Sequence, residues 1–215
     1  MKTSIITYLD AFKKEIKVDH IFDIINWFDS VEIKEFLIRR ISYSHNLEKV
    51  LLHGIEESNK KGYAHVSYEL QKNLDDEQWI VDGVKQEGKA HISWRKDFLD
   101  ELWILKDIQN HTKDYYDFYH LDYFQFLGGI IFIEFIIPLE FSFIKRSLIK
   151  NNIPLSNKGL FYLDDHISHD AISHLPDLLY GVNKDITKQE DIDNIIKWIE
   201  IGYKSKKQFY AHLKM

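Results

Sequence analysis

The 215-residue sequence contains no cysteine. This absence excludes a disulfide framework, a thiolate metal site and a cysteine nucleophile. With 3 prolines and 9 glycines, turn-forming residues are scarce, which disfavours a β-sandwich or a small barrel because these folds need many turns. Basic residues are also outnumbered, 28 against 34 acidic ones, giving a net charge of −6. A nucleic-acid-binding protein normally shows the opposite balance, so nucleic-acid binding is disfavoured.

Histidine and aromatic residues are abundant, with 11 His, 14 Phe and 12 Tyr. Since cysteine is missing, a transition metal would have to be bound by histidines and carboxylates. The length predicts one domain over residues 1–215, and the 45% hydrophobic content is enough for a sizeable core. Charged residues from Asp10 onwards interrupt any secretory apolar segment, so a cytoplasmic location is expected.

Apolar residues recur at helical spacing through most of the chain, which predicts an all-α domain of seven or eight helices. A break is expected around 57–62 and a polar loop over 75–90, because glycine and polar residues cluster there. The predicted helices cover residues 4–17, 20–28, 31–57, 63–74, 94–126, 127–150, 161–179 and 186–212.

The apolar stretch from Phe126 to Ile144 approaches the length of a membrane span, but it contains Glu134, Pro138 and Glu140. An ionised glutamate at the centre of a bilayer is costly, so we expect a helix buried in a protein core and no membrane association. Glu134 has isoleucine and phenylalanine on both sides. Its carboxylate therefore needs a partner, either a cation (Arg39, Arg40 or Lys145) or a metal ion.

His166, Asp170 and His174 are spaced four residues apart. Each step of four advances only about 40° around a helix, so the three side chains would lie on one stripe. Two imidazoles and a carboxylate suit Fe(II), Mn(II) or Zn(II). The alternative is a polar helix face that is rich in histidine.

A weaker pattern joins the acidic pair Glu56-Glu57 to His65 across the predicted break. We predict Glu57 as a ligand and Glu56 as solvated, although the reverse assignment stays open, and His65 is equally compatible with the core. Carboxylates and histidines that face inward from different helices form the dinuclear iron or manganese sites of helix bundles. The three patterns together therefore predict a metal centre between helices.

Four stretches resemble the heme-oxygenase-like diiron oxidase and oxygenase superfamily, which includes TenA- and PqqC-like relatives. The most specific is Tyr162–His174, YLDDHISHDAISH, which resembles the pattern YLxxHIxxDxxxH. Phe126–Glu134 resembles ALGxxxxxE, and weaker similarities cover 19–37 and 56–70. The resemblance implies a heme-oxygenase-like helical bundle whose metal ligands are Glu57, His65, Glu134, His166, Asp170 and His174. An additional ligand among Glu32, Glu35 and His45 stays open.

The resemblance also implies a function: two Fe(II) ions per chain, with manganese as an alternative, would activate O2 to oxidise a small fatty acid, amino acid or amine. It raises a homodimer as an expectation as well. The alternatives are a non-catalytic helical domain that binds a regulatory partner, and a TenA- or PqqC-like enzyme without a diiron centre. The lack of cysteine argues against a TenA-type hydrolase. The tyrosines between Tyr115 and Tyr123 are expected to pack against the core or, as an alternative, to act in redox chemistry. A substrate pocket between the helices could be lined by Phe118, Phe132, Phe135 and Phe161.

Overall fold

The computed structural model describes residues 4–42, 47–78, 80–81, 84–85, 91–104 and 122–212. The predicted all-α architecture is confirmed: α-helices account for nearly all regular structure in these ranges. A two-stranded antiparallel hairpin, β1 (Ile80–Val81) and β2 (Val84–Lys85), lies in the predicted loop. The helices are α1 (Ile5–Asp19), a 3-10 helix (Asp23–Trp27), α2 (Ser30–Ser42), α3 (Leu47–Lys61), α4 (Ala64–Gln78), α5 (His91–Glu101), α6 (Tyr123–Lys150), α7 (Asn157–Ile172), α8 (His174–Asp185) and α9 (Gln189–His212).

Three of the predicted helices are divided in the structure. The stretch 31–57 forms parts of α2 and α3 rather than one helix. Helix α5 ends at Glu101, and Trp103 has a φ of 62°. A tryptophan in this left-handed region cannot continue an α-helix, so the predicted helix over 94–126 is interrupted here.

The third division separates α7 from α8 and falls inside the predicted metal-binding stripe. Helix α7 ends at Ile172, and Pro176 lies four residues later. In a continuous helix Pro176 would lack the N–H for the carbonyl of Ile172, and its ring would clash with that carbonyl. His166 and His174 therefore lie on two helices, whereas the spacing predicted a single one.

Helix α6 forms the centre of the fold and contacts α2, α3, α7, α8 and α9. Asp122 caps its N-terminus, because the Asp122 side chain accepts from the backbone N–H groups of Phe124 and Gln125. By length and composition α6 could span a membrane, but 72% of its most apolar 18-residue segment is buried inside the protein. This burial is what a core helix shows.

The close crossing of α6 and α9 depends on a glycine. A Cβ at Gly128 would lie 2.5 Å from the carbonyl oxygen of Ile195 and 2.7 Å from Cβ of Trp198. Only the absence of a side chain lets the two helices approach this closely. The crossing holds α6 firmly, and with it the glutamates that α6 carries.

Candidate functional site

Glu134 lies in the middle of α6 with 2% of its surface exposed. Its Oε1 accepts a hydrogen bond of 2.9 Å from the side-chain amide of Asn73 on α4. Its Oε2 is 3.7 Å from Nδ1 of His174 on α8. Of the cations that the sequence suggested, Lys145 pairs with Asp164 instead. The charge of Glu134 is thus met by an amide and an imidazole.

His174, the first residue of α8, has 6% of its surface exposed. Its Nε2 lies 3.3 Å from Oδ2 of Asp76, on the opposite side of the ring from Glu134. One imidazole therefore joins a carboxylate of α4 to a carboxylate of α6. Such a carboxylate–imidazole contact fixes the orientation of a histidine ring and raises its basicity as a ligand.

His166 reaches the same region from α7. Its ring packs edge-on against Phe141 and Tyr162, with centroid distances of 4.5 and 4.7 Å. These contacts hold the ring at the wall of a cavity of about 40 Å³. A cavity that holds a water needs roughly 10–15 Å³ by this measure, so this one is large enough for a small ligand. The lining residues are Arg40, Leu47, Glu77, Arg95, Glu134, Ile137, Phe141, Tyr162, His166 and His174.

The backbone of Asp170 lies in the last turn of α7, one turn after His166. The side chain of Asp170 is outside the described part of the chain. Three of the six predicted ligands, Glu134, His166 and His174, thus line one cavity.

Glu57 and His65 are not brought to this cavity. Glu57 pairs with Lys60 one turn away at 2.7 Å, and Lys60 lowers the pKa of Glu57 through this hydrogen bond. The next residue, Ser58, contacts the hydroxyl of Tyr123 at 2.8 Å. Tyr123 precedes Glu134 by eleven residues of α6, which is about 16 Å along a helix. Glu57 is therefore at the wrong end of α6 to share a ligand with Glu134.

His65 lies near the start of α4, far along that helix from the site residue Asp76. Its side chain is 55% exposed, and its Nδ1 contacts Oδ1 of Asp185 at 2.7 Å. The other carboxylate oxygen of Asp185 accepts from the backbone N–H of Val66 at 2.9 Å, so Asp185 caps the first turn of α4. Eleven residues, again about 16 Å of helix, separate His65 from Asp76. We accordingly leave Glu57 and His65 out of the ligand set.

The remaining candidates lie away from the cavity or outside the description. Glu56 and Glu35 are exposed, and Glu32 accepts from the backbone N–H of Asp29 at the start of α2. His45 and the tyrosines from Tyr115 to Tyr119 fall outside the described residues. Of the proposed lining residues, Phe118 does too, and the structure packs Phe132 at Gly202, Phe135 at Phe12 and Phe161 at Trp94.

Helix α4 supplies site residues that the sequence reasoning missed. Asn73, Asp76 and Glu77 share one face of α4, at a spacing of three and four residues. The prediction ended this helix near residue 74 and assigned the following acidic residues to a loop. The signal that could have found them is the spacing itself, because Asp76 and Glu77 continue the helical period of Leu70 and Asn73.

The carboxylate and amide oxygens and the imidazole nitrogens around Glu134 are atom types that bind a divalent metal ion. Among the residues that the structure describes, the buried Oδ1 of Asn73, next to Glu134, has no hydrogen-bond donor, and neither has Oε2 of Glu69, one turn earlier on α4. Burial and the nearby Asp177 raise the pKa of Glu69. Unpaired buried oxygens next to carboxylates call for a cation or a proton. Among the described residues, no three His, Asp or Glu side chains converge on one point closely enough to bind an ion, and the described groups meet in pairs.

A second glutamate of α6, Glu140, has a different environment. It is fully buried and contacts Arg40 Nε and Lys206 Nζ, each at 2.6 Å, and it accepts from the hydroxyl of Tyr210. Burial alone would raise its pKa, but Arg40 and Lys206 lower the pKa of Glu140 to about 2. Burial, opposed by Glu140, lowers the pKa of Lys206 to about 8, and the positive charge of Arg40 adds to this lowering.

No family model matches the sequence, and no curated protein matches it. The fold is similar to the crystal structure of a CADD-like protein of unknown function from Nostoc punctiforme PCC 73102. The two share 15% sequence identity with a TM-score of 0.71, over 90% of this chain and 85% of the other. This likeness is one of fold.

Proposed function

We propose that this protein is a non-heme iron oxidase or oxygenase that uses O2 to oxidise a small organic substrate in the cavity. Glu134, His166, Asp170 and His174 would hold the metal, and Asp76 from α4 would orient His174. One observation carries the proposal: Glu134 and His174 are buried together beside a cavity that also receives His166, and the buried Oδ1 of Asn73, next to Glu134, lacks a donor among the described residues. The helical fold shared with the CADD-like protein adds to this support.

The side chains have separable roles in this proposal. Asn73 orients the carboxylate of Glu134 through its amide, and Asp76 fixes the ring of His174. Phe141 and Tyr162 hold His166 in place and exclude water from that wall. When bound, ferrous iron supplies the one-electron and O2 chemistry that these side chains lack.

The second candidate is an acid–base enzyme without a metal. It is favoured by the position of His174, which contacts Asp76 through one ring nitrogen and Glu134 through the other. A histidine flanked in this way can take up and release a proton at a substrate. It is also favoured by the pairwise arrangement of the described ligands.

An anaerobic titration with Fe(II), followed by metal analysis of the desalted protein, separates the two candidates. We expect about two irons per chain, as in carboxylate-bridged helix-bundle sites, and a transient visible absorption after O2 is admitted. Glu134→Gln should lose at least half of the bound iron, because an amide is a poor ligand for iron. Glu57→Gln is the matched control, since it makes the same change on the exposed end of α3, and it should keep the full iron content.

The proposal fails if the wild-type protein takes up no iron, which would favour the acid–base enzyme. It also fails if Glu57→Gln loses iron as Glu134→Gln does, because the bound metal would then lie elsewhere. If the wild type binds one iron per chain and Glu134→Gln binds none, the proposal narrows to a mononuclear centre.

A further inference from the structure

Helices α4 and α8 are joined by a row of polar contacts that leads towards Glu134. Asp177 of α8 pairs with Lys72 of α4, and Asp76 of α4 contacts His174 of α8 at 3.3 Å. His174 in turn lies 3.7 Å from Glu134. The row therefore runs through the interface of the two helices from the surface pair to the buried glutamate.

Glu69 belongs to the outer part of this row. Burial and the charge of Asp177 raise the pKa of Glu69, whereas Lys72 and, less strongly, His65 lower it, so Glu69 lies close to the pair formed by Asp177 and Lys72. Its Oε2 is buried and has no donor in the part of the chain that the structure describes. With both carboxylates ionised, the group of Glu69, Asp177 and Lys72 carries a net negative charge.

Asn73 continues the row inwards. It follows Glu69 by four residues and therefore lies on the same face of α4. Only 5% of its surface is exposed, and its Nδ2 donates to Glu134 at 2.9 Å, while its Oδ1 has no donor among the described residues. A buried acceptor without a donor costs about 1–3 kcal/mol. A cation that comes to rest beside this oxygen would recover the cost.

The exposure of the side chains falls along the row. Those of Lys72 and Asp177 are 46% and 37% exposed, whereas those of His174 and Glu134 are 4% and 3% exposed. Asn73 is bonded directly to Glu134. A cation that leaves the solvent on this side therefore meets the outer carboxylates first and Glu134 last.

The arrangement suits the passage of an ion better than its tight binding at any point of the row. Within the described ranges, no three His, Asp or Glu side chains come together closely enough to bind a metal ion. An ion moves along a path only if each position attracts it weakly enough for it to leave again. Carboxylate and amide oxygens are also ligand types that divalent ions such as Mn(II) accept.

We propose that Glu69, Asp177 and Asn73 line the route by which a divalent cation passes from solvent to Glu134, with Lys72 competing for its outer end. The inference rests on the proposed function, for which it supplies the step that loads the metal. The cation replaces the ammonium of Lys72 beside Asp177 and Glu69 and then moves to Oδ1 of Asn73 and the carboxylate of Glu134. The outer carboxylates attract the ion through solvent and so set the rate of loading, whereas the buried ligands set the amount bound.

The test measures how fast the full-length, metal-free protein takes up Co(II), followed by stopped-flow absorption in the visible range, with metal analysis at the end point. Glu69→Gln and Asp177→Asn should each slow the second-order rate constant by about five-fold or more, because each removes a charge that attracts the ion. Lys72→Gln should raise the rate constant by about three-fold or more, since the competing ammonium is gone. The amount of Co(II) bound at the end point should be the same in all three variants as in the wild type.

Glu57→Gln and Lys60→Gln are the matched controls. Glu57 and Lys60 form an ion pair on α3, so each control changes the net charge of the protein by the same amount as its counterpart on α4. Both should take up Co(II) within about a factor of two of the wild-type rate. Circular dichroism of Glu69→Gln should match the wild type. If that variant is unfolded, Asp177→Asn, whose side chain is partly exposed, decides the comparison of rates.

Equal slowing by Glu69→Gln and Glu57→Gln would overturn the proposal, because the rate would then follow the overall charge of the protein. Wild-type rates in both Asp177→Asn and Lys72→Gln would overturn it too. A loss of bound Co(II) in Glu69→Gln would make Glu69 a ligand of the final site and not a residue of the route. A wild-type protein that binds no Co(II) would contradict the proposed function itself, whereas full binding at rates that none of the variants alters would sink this inference alone.

Discussion

Glu134 and Glu140 are buried glutamates on the same helix, six residues apart, and their surroundings differ sharply. Glu140 is saturated: Arg40, Lys206 and Tyr210 all contact its two oxygens. Glu134 receives one amide hydrogen bond and lies near one imidazole. Identical burial on one helix thus produces two kinds of carboxylate, one paired within the protein and one short of positive charge.

The partners of a buried carboxylate indicate better than its burial whether it stabilises the fold or is available to a ligand. A carboxylate with two cations and a hydroxyl is complete, so its removal should disturb the fold. A buried carboxylate that meets only an amide and an imidazole among the described residues, next to the unpaired Oδ1 of Asn73, is costly in the isolated chain. Proteins retain such groups mainly where a ligand, a metal or a proton completes them.

The largest expected effect comes from exchanging the two glutamates for glutamine. Glu140→Gln removes the buried charge that both Arg40 and Lys206 contact, so it should lower the free energy of unfolding by about 3–5 kcal/mol. Glu134→Gln keeps the acceptor for Asn73 and removes a buried charge that meets only an amide and an imidazole among the described residues, so it should change stability by less than about 1 kcal/mol. Urea denaturation of both variants without metal measures the contrast, and equal losses would contradict it.

The same contrast should appear in the acid range. Arg40 and Lys206 hold the folded-state pKa of Glu140 at about 2, below its ordinary value of 4.5. The unfolded chain therefore takes up this proton first as pH falls, so the stability from Glu140 is complete above pH 4.5 and is lost towards pH 2. Urea unfolding at pH 7, 4.5 and 3 should show a steeper decline for wild type than for Glu140→Gln. If the free energy of unfolding declines in parallel for both proteins, Glu140 contributes nothing to the acid destabilisation.

The sequence was sufficient to predict the helical fold and the burial of Glu134, because helical periodicity and an apolar run are local properties. It also led to His166 and His174, since both occur within one short motif. The break between them was not predicted, because the four-residue spacing was interpreted without the steric effect of Pro176 on Ile172.

The partners of Glu134 could not be predicted in the same way. Asn73 is 61 residues from Glu134, and Asp76, which contacts His174 beside Glu134, is 98 residues from that histidine, so both contacts depend on how α4 packs against α6 and α8. Glu57 and His65 had suitable residue types, but sequence spacing does not reveal which end of a helix meets which. The packing places them at the ends of α6 and α4 that lie about 16 Å of helix away from Glu134 and Asp76.

A smaller effect is expected when the unsaturated site is made more acidic. Asn73→Asp replaces the amide that donates to Glu134 with a second carboxylate. The metal-free variant should lose about 1–3 kcal/mol of stability at pH 7 through the lost hydrogen bond and the added repulsion. Adding Mn(II) should recover much of this loss, because a divalent ion completes both carboxylates. Thermal unfolding with and without Mn(II) measures the recovery, and an unchanged deficit would show that Asn73 lies outside the metal site.

The smallest effect is expected at the histidine that is paired at the surface. His65→Ala removes an exposed contact with Asp185 but leaves the cap that Asp185 provides to Val66. Exposed ion pairs contribute about 0–1 kcal/mol, so the free energy of unfolding should fall by no more than that, and bound iron should be unchanged. His174→Ala makes the same substitution at the cavity, where it removes the imidazole between Asp76 and Glu134, and it should lose iron. If His65→Ala lost iron and His174→Ala retained it, the metal would lie at the other end of α4. The contrast between Glu140, which is paired within the protein, and Glu134 would then not identify the functional site.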